Sequence, residues 1–139
     1  MQPKILLGTS KGLYGVDSTR PSQFAGHEVR AFVHDGSYGW AILAGRELWQ
    51  SSARGIETKV ATLETGKATC LLPTPSGLLV GTSEAHLLML RNGTLTPVRS
   101  FDTAPGRETW HTPWGGPAAV RSLALSSAAA RFSVCSATK

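Results

Sequence analysis

A chain of 139 residues, 41% hydrophobic and 17% charged, has the make-up of one globular domain or a piece of one, which excludes a disordered tail and a collagen-like repeat. The net charge is +5, yet Arg91, Arg99, Arg107, Arg121, Arg131 and Lys139 stand singly, so no phosphate-tracking stripe forms and no nucleic-acid partner is expected. No apolar run nears the roughly 20 residues of a membrane span, and the opening MQPKILLGTS lacks a signal-peptide core, so the expectation is a cytoplasmic protein with no membrane partner.

The first predicted strands are ILLGTS at 5–10 and GLYGV at 12–16. VRAFVHD at 29–35 leads into WAILAG, which ends at Gly45; ELWQS at 47–51 and KVATL at 59–63 follow. The same succession then returns. ATCLLPT at 68–74 leads to LLVGTS at 78–83, then HLLML at 86–90 and LTPVRSF at 95–101. Asn92-Gly93 marks a hairpin, since both central residues of a type I′ turn need positive φ; read as a glycosylation sequon, Asn92-Gly-Thr94 has no signal peptide to support it. VRSLALS at 120–126 and FSVCSAT at 132–138 begin the succession once more, with Cys135 where the earlier copies have glycine. Gly8, Gly45 and Gly81 lie about 36 residues apart, and nowhere do a dozen residues show helical periodicity.

Four short strands per repeat of this length are the blades of a β-propeller. The expected architecture is all-β: about two complete four-stranded blades with partial blades at both ends, at 4–24, 29–63, 68–101 and 120–138. A β-sandwich also spaces strands at 8–12 residues, but it does not account for the returning GTS. The runs ILL, AIL and LLV suit inner strands covered on both faces. The glycine ending each run would let neighbouring blades approach closely, and Leu13, Trp49 and Leu88 are expected between blades.

Cys70 and Cys135 form no CxxC pair, and His34 and His86 have no ligand partner at metal spacing, so neither metal nor cofactor is expected. A Cys70–Cys135 disulfide is open. The candidate site is TWHTPWGGP at 109–117 with the residues before it. Arg107, Glu108, Trp110, His111 and Trp114 bring charge, aromatic area and a titratable group together within a 102–119 loop. Trp and Arg are the usual anchors of interfaces. The competing reading makes Trp110 and Trp114 plugs between blades, with Gly115-Gly116-Pro117 shaping the return to the next strand.

The segment ELWQSSARGIET resembles the turn of bacterial propellers with neuraminidase-type, or Asp-box, repeats, whose motif is S-x-D-x-G-x-T-W. Ser51 and Gly55 keep the spacing; Ala53, Glu57 and Thr58 stand where Asp, Thr and Trp are usual. SFDTAPGRETW is a looser echo, keeping Ser100, Asp102, Gly106, Thr109 and Trp110. In such repeats the motif is a folding device, so the resemblance implies a fold and a non-catalytic binding or scaffold module, with a protein or carbohydrate ligand. It leaves a second possibility, a fragment of a sialidase-like glycoside hydrolase or lyase with catalytic residues partly elsewhere. Tyr14 and Tyr38 lie in no nucleophile motif and the nine acids pair nowhere in sequence, so no catalytic residue is assigned. Since only two blades are whole, the resemblance also implies a piece of a six- to eight-bladed parent, or copies that associate to complete a ring.

Overall fold

The computed structural model describes residues 5–112, 114–126 and 131–136, with residues 126 and 131–136 as backbone only. The described chain is all-β, and its strands follow the apolar segments in order. β1 (Leu6–Thr9) and β2 (Gly12–Gly15) form a hairpin. β3 (Val29–His34), β4 (Tyr38–Leu43), β5 (Glu47–Ser52) and β6 (Glu57–Thr62) form a four-stranded meander. A second meander contains β7 (Ala68–Thr74), β8 (Gly77–Thr82), β9 (Leu87–Arg91) and β10 (Thr94–Pro97). β11 (Val120–Ser126) and β12 (Arg131–Ser136) pair last. Every pairing is antiparallel between neighbours in sequence. The sheets are open, and no helix among the described residues is long and apolar enough to cross a membrane.

The repeat is visible in the hydrogen-bond register. The first strand of each of three sheets carries a bulge at the same place: Val29/Ala31, Ala68/Cys70 and Val120/Ser122. Beyond the bulge, Ala31 faces Ile42, Cys70 faces Gly81 and Ser122 faces Cys135. On the other side of the second strand, Ile42 faces Leu48 and Gly81 faces Leu87, just as Gly8 faces Leu13 in the first hairpin. Leu13, Leu48 and Leu87 are all buried to within 1%. Gly8, Ile42, Gly81 and Cys135 therefore hold one structural position.

Gly45 does not belong to that set, although its spacing suggests it. It lies in the turn after β4, where Arg46 N–H donates to Leu43 O across Ala44 (φ 51) and Gly45 (φ 74). Glycine serves there for its left-handed backbone. At Gly81 the need is space: a Cβ would lie 2.5 Å from Cys70 Sγ and 2.6 Å from Val120 Cγ1. At Gly8 it would lie 2.8 Å from Val29 O. In both cases the first strand of the following sheet lies against the glycine, β3 on β1 and β11 on β8.

The chain divides at residues 62 and 63 into two units. In the first, Leu13, Phe24, Val29, Ala41 and Leu43 form a core, with Leu6, Phe32 and Trp49 packed on it. Phe24 is fully buried despite φ 53, and its N–H is held by Glu57 Oε1 at 2.7 Å. Burying a Phe side chain is worth about 1.5–3 kcal/mol, which offsets the left-handed backbone. Ser51 Oγ donates to Gln23 Oε1 at 2.9 Å. So Ser51 and Glu57, at Asp-box positions, fasten the 23–24 segment, while Ser52 Oγ caps the Ile56 N–H and Gly55 adopts φ 77 in the turn itself.

In the second unit, Leu78, Leu79, Val80, Leu87, Leu90 and Val120 are buried. Cys70 is a free thiol whose pKa burial pushes up; the side chain of Cys135 lies outside the described residues. Two expectations need correction. β10 stops at Pro97 rather than running to residue 101, and a short helix, α1 (Arg99–Asp102), follows. Val98 N–H still donates to Leu87 O in the β9–β10 register, and the chain then turns because the N–H groups of Phe101 and Asp102 donate back to Val98 O. Nor is the ILL run covered on both faces, because Ile5 is 60% and Leu7 47% exposed.

A candidate binding cleft beside the Trp110 loop

The loop from α1 to β11 is shaped by its own turns. Gly106 takes φ 77, and a single 3₁₀ turn, Arg107–Thr109, follows it. His111 then bridges Pro117, while Thr112 N–H donates to Gly116 O and Gly115 N–H to Thr112 O. The 3₁₀ turn points Arg107 inward. Its Cζ lies 5.4 Å from the centre of the Phe101 ring and 5.3 Å from that of Trp110, with the two rings 5.4 Å apart. A guanidinium set over two rings that pack on each other gains both cation–π attraction and contact area.

The guanidinium is also tied at its end. Nη2 donates to Ala85 O at 2.5 Å and lies 3.8 Å from Asp102 Oδ1. Asp102 Oδ1 is in turn 2.9 Å from His86 Nδ1. His86 is held by its backbone N–H on Thr82 Oγ1, in a turn where Ala85 has φ 58. His86 therefore has a carboxylate partner after all, sixteen residues away along the chain. The Nη1 of Arg107 is buried and makes no hydrogen bond among the described residues.

Against this clamp lies a cleft of about 450 Å³, lined by Ser83, Glu84, Ala85, Arg107, Trp110, Pro117 and Ala118. A smaller one of about 210 Å³ lies across Glu84 and includes His86 and Asp102 in its lining. Glu84 is exposed and borders both. The larger cleft thus offers an aromatic wall, a fixed cation and a carboxylate, a combination able to hold a polar ring or a polar side chain.

The structure brings only two of the five residues marked in the sequence to this cleft. Arg107 and Trp110 line the cleft. Trp114 is 70% exposed, lies under Arg121 of β11 at 5.2 Å, and is not part of the cleft lining. Glu108 is exposed, and His111, also exposed, turns its Nδ1 to Thr112 O within its own loop. The residues missing from the sequence reading are Ser83, Glu84 and His86. Ser83 closes the returning GTS and Glu84 and His86 follow it, but their nearness to residue 107 is a tertiary fact. No family model, no curated protein and no solved structure matches the chain.

Proposed function

We propose that this chain is a β-propeller repeat protein of the neuraminidase type, working as a non-catalytic binding or scaffold module with a carbohydrate or protein ligand in the Arg107–Trp110 cleft. The recurring bulge and the glycine-mediated stacking of one sheet on the next support the propeller architecture. The observation that carries the binding reading is the cleft itself, with Trp110 as a wall fixed by Arg107. A ring held by a guanidinium loses little freedom on binding, so stacking on it is less costly. A glycan and peptide array, followed by titration of any hit against Trp110→Ala, tests this. At least tenfold weaker binding by the variant is expected; a hit indifferent to Trp110→Ala and to Glu84→Gln would remove the cleft as the site.

One observation favours the second reading, a glycoside hydrolase or lyase. Glu84 borders the cleft and, with Asp102, lines the smaller cavity, so two carboxylates share one lining. On that reading Glu84→Gln abolishes turnover of chromogenic glycosides while leaving binding in place. Turnover unchanged in Glu84→Gln rules Glu84 out as the acid or base.

A further inference from the structure

We infer that the Arg107–Trp110 cleft selects a cationic ligand, an amino sugar whose ring lies on Trp110 and whose ammonium group pairs with Glu84. This rests on the reading of the cleft as a binding site and names the ligand for it. The charges set the sign. Arg107 is the one cation lining the cleft among the described residues, and a guanidinium ordinarily holds a carboxylate through two parallel N–H groups. Here those groups are committed elsewhere. Nη2 donates to Ala85 O and stands beside Asp102 Oδ1, while Nη1 is buried. The guanidinium is left as a support for the Trp110 ring.

Glu84 is the opposite case. It is exposed, borders both cavities, and has no hydrogen bond or ion pair among the described residues. Asp102, which shares the smaller lining with it, is already met by His86 and Arg107. The Glu84 carboxyl group rests against the backbone at Gly66, where a Cβ would lie 3.2 Å from its Cδ and Oε2. Its side chain is supported and its charge is unanswered. An acid entering the cleft meets a bare carboxylate and a committed guanidinium; an amine finds an ion pair to complete.

The remaining polar groups favour a ring over a lysine side chain. Ser83 Oγ accepts the Lys67 N–H, and its own hydroxyl proton has no acceptor among the described residues. The Trp110 indole N–H has none among them either. A pyranose brings hydroxyl oxygens for both donors and C–H groups for the indole face, whereas a lysine side chain brings no oxygen. At about 450 Å³ the cleft falls within the roughly 300–1,000 Å³ of small-molecule sites.

The test titrates the full chain with three methyl glycosides of one ring and different charge: methyl glucosaminide, its N-acetyl form and methyl glucuronide. Salt is kept low and the pH below that at which the amine loses its proton. The amine should bind at least fivefold tighter than the acetamide, and the acid weakest. Glu84→Gln should abolish the preference for the amine and leave acetamide binding as it was; Trp110→Ala should weaken both. Glucuronide binding as tight as glucosaminide binding overturns the inference, as does a preference for the amine that survives Glu84→Gln. Equally tight binding of Nα-acetyl-lysine methylamide overturns the sugar and makes the ligand a basic peptide. Failure of all three glycosides to bind in a Trp110-dependent way also overturns it. The binding reading beneath then stands if another array hit depends on Trp110, and falls if none does.

Discussion

Two carboxylates hold a tryptophan region in place, by routes of different reach. Asp35, at the tip of the β3–β4 hairpin, accepts the N–H groups of Ser37 and Tyr38 on one oxygen and the Trp40 indole N–H on the other. All its partners lie within five residues. Asp102 meets His86 from sixteen residues away and stands beside Arg107, which in turn steadies Trp110. The first arrangement closes with the hairpin. The second exists only once β8, β9 and the loop after β10 are in place, so it reports on the fold around the cleft.

The largest effect should come from breaking the long-range clamp. Arg107→Ala removes a charged hydrogen bond to Ala85 O and the contact of the guanidinium with the Phe101 and Trp110 rings. A loss of about 2–3 kcal/mol is expected, since hydrogen bonds to charged groups contribute about 1.5–3 kcal/mol. Urea midpoints with an unchanged slope check it. Arg107→Lys keeps the charge and loses the planar contact with both rings, so about 1 kcal/mol is expected. If Lys and Ala cost the same, charge contributes nothing and the rings are held by packing alone.

The difference in reach also explains how much was readable beforehand. Strand order and the all-β class follow from alternating apolar runs and turn residues, which act locally. Asn92-Gly93 shows this: both residues have positive φ, 49 and 76, and join β9 to β10 as the dipeptide demands. The alignment of Gly45 with Gly8 and Gly81 failed because spacing does not distinguish a glycine needed for its φ from one needed for its missing Cβ. Trp110 and Arg107 were readable as composition, but not that Trp114 would leave them for Arg121. Glu84 and His86 were invisible as site residues because a turn's neighbour across a sheet is fixed by register, which the sequence states only through burial.

A middle-sized effect should separate the two members of the Asp102 pairing. Asp102→Asn keeps the side chain's shape and removes its charge. His86 then loses its anionic partner, and Arg107 its nearest carboxylate. The Ala85 bond remains, so about 1 kcal/mol is expected, near the ordinary value for one hydrogen bond. In a cycle with Arg107→Ala the double variant should cost clearly less than the two single changes together, because both act on one network. Strict additivity would show that Asp102 serves His86 alone.

The smallest effect belongs to the local arrangement. Burial pushes the Asp35 carboxyl upward, but the bonds from Trp40, Tyr38 and Ser37 and the nearby His34 outweigh it and hold its pKa below the ordinary 3.8. A lowered carboxyl stabilises the fold above its ordinary pKa, and that contribution disappears as the pH falls through the lowered value. Asp35 is exposed, so solvent screens the gain and global stability should hardly move. The local signal should still be clear. The indole N–H resonance of Trp40 should titrate below pH 3.8 in the native chain and lose that step in Asp35→Asn. The Trp110 indole should not move in that variant, because the Asp35 hairpin carries its aromatic ring on bonds of its own. A shift at Trp110 on changing Asp35 would mean that the two carboxylates belong to one network, and the contrast between local and long-range fastening would not hold.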